Sequence, residues 1–241
     1  MPKRSRRYLE MEKDRGSEKD SFELDEAISR LQKMGAKDIQ RKHKGARPRK
    51  RFDQAVELVM HLGIDPKQAD QMLRGSLSLP HGIGKSKKVI AFCEDDMVDA
   101  ATAAGAIEAG GAELVKKITD GWMDFDVAVA HPKMMSKVGK LGRILGPSGK
   151  MPSPKSGTVT PNIEQAIKDY SAGKIEYRND SGGNMHATVG RMSFEPSALK
   201  ENIEFFIHHI RKSKPATTKG HYIKKVCISG TMTPSVMLAL D

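Results

Sequence analysis

The stretch from Gly139 to Thr160, GKLGRILGPSGKMPSPKSGTVT, limits the possible folds of this chain more than any other segment. It holds five glycines and three prolines, so we expect no helix or strand to run through its middle and predict a long shaped loop. Cations without acids lie along it, which suits a backbone close to phosphates. A solvated surface loop fits this composition equally well. The cations are Lys140, Arg143, Lys150 and Lys155.

The length and composition indicate a globular protein. With 241 residues, 38% of them hydrophobic, the chain can form one large domain or two ordinary ones around a packed core. No run of 18 apolar residues occurs and the N-terminal MPKRSRRYLE lacks an apolar segment, so we expect a cytoplasmic protein without a membrane partner. Cys93 and Cys227 each lie in an apolar run, which predicts buried strand residues rather than a disulfide or metal ligands.

The net charge of +11 is concentrated in the two ends of the chain. Residues 1–82 carry 19 cations and 13 acids, residues 83–173 carry 12 and 11, and residues 174–241 carry 10 and 6. If the ends fold together, they form one basic body interrupted by a nearly neutral insert, and a polyanion is its natural partner. The run Arg41–Arg51, RKHKGARPRKR, holds seven cations and no acid, and we interpret it as an RNA-backbone contact. A merely solvated run, a nuclear-type signal and a linker are the alternatives.

Apolar patterns predict an α/β insert between β-rich ends. The insert alternates apolar runs such as VIAFC and DFDVAVAH with helical stretches, MVDAATAAGAIEAG among them, which indicates a parallel or mixed sheet. In the ends we predict an amphipathic helix over Ser21–Leu31 after a frayed or partner-ordered tail, and strands in Phe52–Asp65 and Leu73–Leu79. GKIEYRND and MHATVGRMSF are expected to form a hairpin, Pro196–Lys212 a helix, and HYIKKVCISG a strand.

Motifs that suggest an enzyme fail on inspection. HGIGKSKK contains Gly84-Lys85-Ser86, but Leu79 stands where a Walker loop needs its first glycine, and a strand rather than a helix follows. Asp124 and Asp126 have no His or third acid at ligand spacing, so we interpret them as surface residues. We therefore expect no catalytic residue, no metal and no cofactor.

Several segments in a fixed order resemble the bacterial branch of the ribosomal protein L-one family. They are GRILGP, GKMPSPK and GTVT in the glycine-rich stretch, then GKIEYR followed by MH, and finally TMTP. The likeness extends from Phe52 to Val236 and is looser before Phe52. This chain departs from the usual family residues at Ser148, Lys150, Ser153 and Ser156, and has Thr233 where a glycine is usual. A threonine there adds bulk and stiffens the loop.

The resemblance implies two domains. Residues 1–82 and 174–241 would form a discontinuous α+β rRNA-binding domain, and residues 83–173 an inserted Rossmann-like α/β domain. The implied function is structural: binding 23S rRNA at the mobile stalk near the E site and helping deacylated E-site tRNA to leave. Family members also commonly bind a similar structure in their own mRNA and repress its translation. The protein would be a monomer outside the ribosome.

The expected rRNA contacts lie in the ends of the chain. We expect Phe52 to place an aromatic face on an RNA sugar or base, although an ordinary core role fits it as well. Arg51, Lys174 and Arg178 would contact phosphates. By resemblance, His186 also faces rRNA, and Thr231 and Met232 pack on the RNA minor groove. The cations Lys140, Arg143, Lys150 and Lys155 are secondary RNA or tRNA contacts, and Gly82 and Gly173 are the expected hinge.

Two other functions stay open at this point. A non-ribosomal RNA-binding regulator would share the basic ends. A phosphate-handling enzyme would need the glycine-rich stretch to hold a nucleotide, yet the sequence lacks the strand-to-helix motif and the clustered acids for magnesium.

Overall fold

The computed structural model describes residues 5–17, 20–39 and 52–239. The basic run Arg41–Arg51, and with it Arg51 as a predicted contact, lies outside the described residues. The described helices are α1 (Arg6–Arg15), α2 (Leu24–Ile39), α3 (Val98–Ala103), α4 (Ala112–Thr119), α5 (Met135–Val138), α6 (Gly142–Leu145), α7 (Ile163–Ser171) and α8 (Pro196–Lys212). The described strands are β1 (Ser21–Phe22), β2 (Ala55–Leu62), β3 (Arg74–Leu77), β4 (Val89–Phe92), β5 (Glu108–Gly110), β6 (Val127–Ala130), β7 (Ile175–Arg178), β8 (Asn184–Arg191), β9 (Ile223–Gly230) and β10 (Val236–Leu238).

Contacts between residues divide the chain into two compact units. The first unit contains the described residues up to Leu73, then Leu79–Gly84, and those from Tyr177 onward. The second unit contains Arg74–Ser78 and Lys85–Glu176. Strand β3 pairs with β7, and the boundary between the units falls inside β7. The chain as a whole is a mixed α/β protein.

A five-stranded sheet organises the first unit, and it is built from both ends of the chain. Its strand order is β1-β10-β9-β2-β8; β1 and β10 are parallel, while β9, β2 and β8 run antiparallel to their neighbours. Helices α2 and α8 pack on one face of the sheet. Alternate residues of β2 are buried, as its sequence pattern predicts, and the intervening residues lie on the opposite, more open face. The buried residues of β2 are Val56, Leu58, Met60 and Leu62.

The helix α8 confirms its prediction from Pro196 to Lys212. Its apolar stripe is the reason, because Leu199, Ile203 and Phe206 are fully buried against the sheet side. The N-terminal prediction was less accurate. A helix, α1, stands where we expected a frayed tail; the Ser5 hydroxyl accepts a hydrogen bond from the Tyr8 amide at its start, and α1 packs on α2.

The predicted hairpin of GKIEYRND and MHATVGRMSF is wrong. Strand β7 pairs with β3, whereas β8 pairs with β2, and only a single bridge, Asn179 to Met185, joins the two segments. The Asp180 carboxylate accepts hydrogen bonds from the amides of Gly182 and Asn184. This tight turn reverses the chain direction, but the strands separate immediately beyond it.

A three-stranded parallel sheet, ordered β5-β4-β6, forms the centre of the second unit. All of β4 is buried, which explains its unbroken apolar sequence. The helix predicted over MVDAATAAGAIEAG is too long, because α3 ends at Ala103 and Gly105 has a φ of +107°. The chain then enters β5, and the Ile107 amide donates to the carbonyl of Val89. Backbone pairing thus overrides the helix preference of the alanines.

The glycine-rich stretch differs from the predicted loop in its first half. Residues 139–145 are helical, because Leu141 and Leu145 are buried in the core of the second unit. Farther along, Val159 bridges to Ala130 beside β6. The Tyr170 hydroxyl of α7 donates to the carbonyl of Ser156 at 2.6 Å, and burial raises the pKa of Tyr170 to about 12. The stretch is therefore fixed to the core at both of its ends.

Candidate nucleic-acid interface

Three segments of the first unit meet at one end of its sheet. Because β2 lies between β8 and β9, Ala55 stands opposite Arg191 on β8 and Val56 stands opposite Gly230 on β9. The segment before β2, the end of β8 and the turn after β9 are thereby brought together. We call this the strand-end surface and define it as residues 52–55, 191–193 and 230–233.

Thr231 fixes the turn after β9 to the start of β2. The Ala55 amide donates to the Thr231 hydroxyl at 3.1 Å, and the Thr231 amide donates to the Ala55 carbonyl at 3.1 Å. Thr231 itself is exposed. Its side chain therefore positions the turn and also remains open to solvent on its other side.

A hydrogen bond to a buried side chain holds the backbone of Met232 in place. Its amide donates to the side-chain oxygen of Gln54 at 2.9 Å, and Gln54 is only 3% exposed. The Gln54 carbonyl in turn accepts from the amide of Met192 at 2.9 Å. The Met232 residue is nevertheless 51% exposed. The structure thus presents a large apolar side chain to solvent on a fixed support.

Phe52 is 61% exposed at the edge of the same surface. Its interpretation as an ordinary core residue is therefore wrong. The next residue, Asp53, anchors the segment, because its carboxylate accepts from the Ser193 hydroxyl at 2.8 Å and its carbonyl accepts from the Arg191 guanidinium at 2.9 Å. Phe52 and Met232 are the two large exposed apolar residues of the strand-end surface.

Thr233, which stands where the family that this sequence resembles usually has a glycine, makes two hydrogen bonds. Its hydroxyl accepts from the Gly230 amide at 2.8 Å, and its own amide donates to the Gly230 carbonyl at 3.2 Å. These bonds close the turn that carries Thr231 and Met232. That the threonine also stiffens the turn through its bulk stays a prediction.

Sequence reasoning missed the supporting roles of Gln54 and Arg191 in this surface. Both act by holding backbone groups from segments far away in the chain: Gln54 holds Met232, and Arg191 holds Asp53. The sequence contains no signal for either contact, because each depends on the register of β2 between β8 and β9. Only the pairing of the strands reveals them.

Two other predicted contacts of the first unit lie away from the strand-end surface. His186 is exposed on β8, five residues before Arg191, so it lies about 16 Å along the strand. Its imidazole is 3.7 Å from the Asp180 carboxylate. The pKa of Asp180 is lowered, first by the hydrogen bonds from Asn184 and least by the nearby His186. Arg178 is exposed at the end of β7, close to the bridge between Asn179 and Met185.

Lys174, the second predicted phosphate contact near β7, does not lie on that strand with Arg178. It precedes β7 and belongs to the second unit. Its ammonium is 3.3 Å from the Asp169 carboxylate and 5.4 Å from the centre of the Tyr170 ring. Lys174 is thus half-buried with partners of its own, and the proposed phosphate contact depends less on it than on Arg178.

The second unit carries a basic segment, residues 127–163, that contains six cations and no acid. The rest of residues 83–173 holds six cations and 11 acids. The small net charge of residues 83–173 is therefore the sum of a basic segment and an acidic remainder. Lys140 and Arg143 are exposed on successive helical turns, and Lys155 is exposed in a short turn of 3-10 helix. Lys133 and Lys137 are exposed on the preceding turns, where sequence reasoning had not placed contacts. The Lys133 ammonium is 3.1 Å from the Glu94 carboxylate.

Lys150 differs from the other cations of this segment. Its ammonium donates to the carbonyls of Met123, at 3.1 Å, and Phe125, at 2.5 Å, and lies 4.9 Å from the centre of the Phe125 ring. These bonds fix the loop before β6. Lys150 is therefore a structural residue, and we remove it from the candidate RNA contacts.

The remaining sequence predictions concern glycines, cysteines and acids. Gly82 and Gly173 both have positive φ, +61° and +108°, and lie two and three residues from breaks between the units, but their role as a hinge stays a prediction. Cys93 is buried and Cys227 is partly buried, and both are free thiols. Asp124 pairs with Lys88 at the surface.

Metal and membrane features are absent from the described part of the chain. Across residues 5–17, 20–39 and 52–239, no three His, Cys, Asp or Glu side chains are grouped as a metal site would require. Within the same ranges, no helix combines the length and the apolarity needed to cross a bilayer.

Comparison with known proteins gives one family. The model of the ribosomal protein L1p/L10e family matches residues 41–234. A protein of Kosmotoga olearia, named large ribosomal subunit protein uL1, is 46% identical over 240 residues, or 99% of this chain and 97% of its own. Proteins of the same name from Nocardioides sp. and Bifidobacterium longum subsp. infantis are 49% and 44% identical, over 79% and 98% of this chain and 79% and 96% of their own. The chain belongs to the ribosomal protein L1p/L10e family.

Proposed function

We propose that this protein is a structural constituent of the large ribosomal subunit in the cytoplasm, that it binds 23S rRNA at the mobile stalk near the E site, and that it has no enzymatic activity. The support is its family and the shared name of three relatives that match most of the chain. The proposed RNA-binding domain comprises residues 1–82 and 174–241, and the proposed insert comprises residues 83–173.

The observation that carries the proposal is the exposure of Phe52 and Met232 on a backbone fixed by hydrogen bonds. Large apolar side chains held open to water on a rigid support are suited to a partner that presents flat apolar surface. The bases and sugars of folded RNA provide such a surface. The turn is ordered before RNA arrives, so little conformational entropy remains to be lost on binding.

The polar residues around this pair supply the rest of the contact. The Thr231 hydroxyl, already bonded to Ala55, faces solvent and is placed to meet a 2′-hydroxyl in the RNA minor groove. Arg51, Arg178 and His186 would contact phosphates, with Lys174 as a weaker member of this set. Phosphate contacts of this kind add affinity that decreases as salt increases, but they do not read sequence.

The basic segment of the second unit supplies a second, electrostatic contact. Lys140, Arg143 and Lys155, extended by Lys133 and Lys137, would bind the backbone of E-site tRNA or of rRNA. With Gly82 and Gly173 as a hinge, this contact would help deacylated tRNA to leave the ribosome. We further propose that the free protein is a monomer and represses translation by binding its own mRNA.

The proposal is tested by two measurements on the intact chain. Its affinity for the stalk fragment of 23S rRNA should exceed that for an unrelated folded RNA of equal length by at least about 1,000-fold, the lower end of typical specificity ratios for nucleic-acid-binding proteins. In a sucrose gradient of cell lysate, the protein should sediment with large subunits. Equal affinity for the two RNAs would contradict the rRNA function, and sedimentation apart from the subunits would favour a non-ribosomal regulator.

A further inference from the structure

The first unit has a groove on the helical side of its sheet, away from the candidate RNA contacts. It measures about 800 Å³ and lies between the start of α2, the outward face of α8, Pro80 and the end of β10. No residue of the strand-end surface lines it. The groove is thus a separate feature that the proposed rRNA binding does not use.

The floor of the groove is apolar. Phe205 is 43% exposed there, whereas its neighbour Phe206 is buried in the core. Leu24, Ile207 and Leu238 continue the apolar lining on either side of it. An aromatic side chain left open between two packed elements offers a seat for an apolar side chain of a partner.

The rim of the groove is acidic, in contrast with the chain as a whole. Its charged residues are the acids Glu23, Asp25, Glu201 and Glu204 and the cations Lys200 and Arg211, a balance of four acids to two cations in a protein of net charge +11. This negative rim disfavours RNA and favours a cationic partner.

The contacts of the rim residues agree with a negative local field. The Lys200 ammonium is 2.7 Å from the Asp25 carboxylate. The pKa of Lys200 is raised, first by this hydrogen bond and further by the charges of Asp25, Glu204 and Glu23. Glu201 is bonded to the His81 imidazole at 2.6 Å. The pair of Lys200 and Asp25 neutralises one cation and one acid of the rim, which leaves three acids, Glu23, Glu201 and Glu204, beside Arg211.

The length of the groove sets the size of its occupant. The lining residues of α8 extend from Lys200 to Arg211, which corresponds to about 16 Å along a helix. This is the length of three helical turns, and an amphipathic helix of that length presents apolar residues at i, i+4 and i+7.

We propose that this groove docks a short amphipathic helix of a protein partner, one that carries cations on the flanks of its apolar stripe. The apolar stripe packs on Phe205, and the flanking cations meet Glu201 and Glu204. RNA and a second copy of this chain are the competing occupants, and the test distinguishes them.

The test uses two synthetic peptides of three to four helical turns with the same leucine stripe. One has lysines on its flanks, and its twin has glutamates instead. Binding to the full chain is measured by fluorescence anisotropy, with and without saturating 23S stalk fragment. We expect the lysine peptide to bind at least about tenfold more tightly than its twin, a difference of about 1.4 kcal/mol, and the RNA to leave its affinity unchanged.

Variants locate the site. Phe205→Ser and Glu204→Lys should each weaken binding of the lysine peptide by about tenfold. The matched controls, Ile107→Ser and Asp96→Lys, change an exposed apolar residue and an exposed acid of the second unit, and they should leave this binding unchanged. The melting temperature of each of the four variants is measured beside that of wild type, so that loss of folding is not mistaken for loss of binding. The rRNA affinity is measured on the same samples.

Three results would overturn the proposal: equal affinity for the two peptides, displacement of the lysine peptide by the RNA, or unchanged binding by Phe205→Ser and Glu204→Lys. A wild-type dimer that Phe205→Ser converts to a monomer would instead identify a second copy as the occupant. Because rRNA affinity is recorded separately, failure here is distinct from failure of the proposed function.

Discussion

Under the proposed function, the strand-end surface and the basic segment of the second unit would offer RNA two different kinds of contact. The first exposes apolar side chains, Phe52 and Met232, on a turn that hydrogen bonds hold in place. The second exposes cations from a stretch of 37 residues, 127–163, that contains no acid. Fixed apolar contacts depend on the shape of the partner, whereas cations follow any phosphate backbone. The comparison predicts that substitutions can separate RNA recognition from electrostatic attraction in this protein.

The largest expected effect is on the apolar contact. Phe52→Ala should weaken binding to the stalk fragment by about 1–3 kcal/mol, the range for removal of one aromatic side chain that stacks on a base. Its melting temperature should stay within the experimental error of wild type, because Phe52 is mostly exposed. The matched control is Phe205→Ala, which removes another exposed phenylalanine of the same unit. If both substitutions reduce RNA affinity equally, the strand-end surface is not the site of recognition.

A smaller effect is expected where the turn is positioned. Thr231→Val removes the hydroxyl that accepts from the Ala55 amide, which should lower the free energy of unfolding by about 1 kcal/mol. It should also reduce rRNA affinity, because the support of Met232 loosens. Chemical denaturation and filter binding measure the two quantities. Thr231→Ser should restore both, and a serine variant as weak as the valine variant would exclude the hydroxyl as the cause.

Substitutions in the basic segment are expected to change the salt dependence of RNA affinity. Lys140→Gln with Arg143→Gln should reduce the slope of log affinity against log salt by roughly 0.7–0.9 for each phosphate that these cations no longer neutralise. The reduction should be the same for the stalk fragment and for unrelated RNA. A reduction confined to the stalk fragment would show that these cations read shape, and the contrast between the two regions would disappear.

Lys150→Gln is the control within that segment. Its ammonium is held by the carbonyls of Met123 and Phe125, so we expect the salt slope to stay as in wild type. The free energy of unfolding should decrease by about 1 kcal/mol for each hydrogen bond that the substitution removes. A reduced slope with unchanged stability would return Lys150 to the set of RNA contacts.

The smallest expected effect is a dependence of stability on pH that arises in the first unit. Burial, with a lesser contribution from Lys212, lowers the pKa of His209, whose imidazole bonds to the Tyr177 hydroxyl at 2.8 Å. The folded state then binds fewer protons than the unfolded state, so stability is complete above the unfolded pKa and decreases as pH falls from about 6.5 toward the folded value. Thermal melts of wild type should show this decrease, and His209→Gln should lessen it.

The sequence predicted those parts of the fold that depend on local pattern. The stripe of Leu199, Ile203 and Phe206 predicted α8 to the residue, and the alternation in Phe52–Asp65 predicted β2. The pairing of strands was harder, because β7 joins β3 and not its neighbour β8, and no local signal decides between these partners. Likewise, Gly139 and Gly142 led to the prediction of a loop, whereas this segment is helical because the burial of Leu141 stabilises it.

The candidate site likewise divides into residues that the sequence indicated and supporting contacts that it did not. The resemblance indicated Thr231 and Met232, and the position of Phe52 after a basic run suggested an RNA contact. The bonds that hold them, from Thr231 to Ala55 and from Met232 to Gln54, join residues 176 and 178 positions apart. No periodicity in a sequence encodes such distances, so the support of the site could be found only in the structure.

The central claim, that apolar contacts on a fixed turn provide recognition, is tested most directly by a salt titration of rRNA affinity. Wild type and the double variant Phe52→Ala/Met232→Ala are compared on the stalk fragment from low to high salt. The account predicts parallel lines, with the variant weaker by the same factor at every salt concentration, because no phosphate contact is removed. Coincident lines, or lines that converge at high salt, would contradict it.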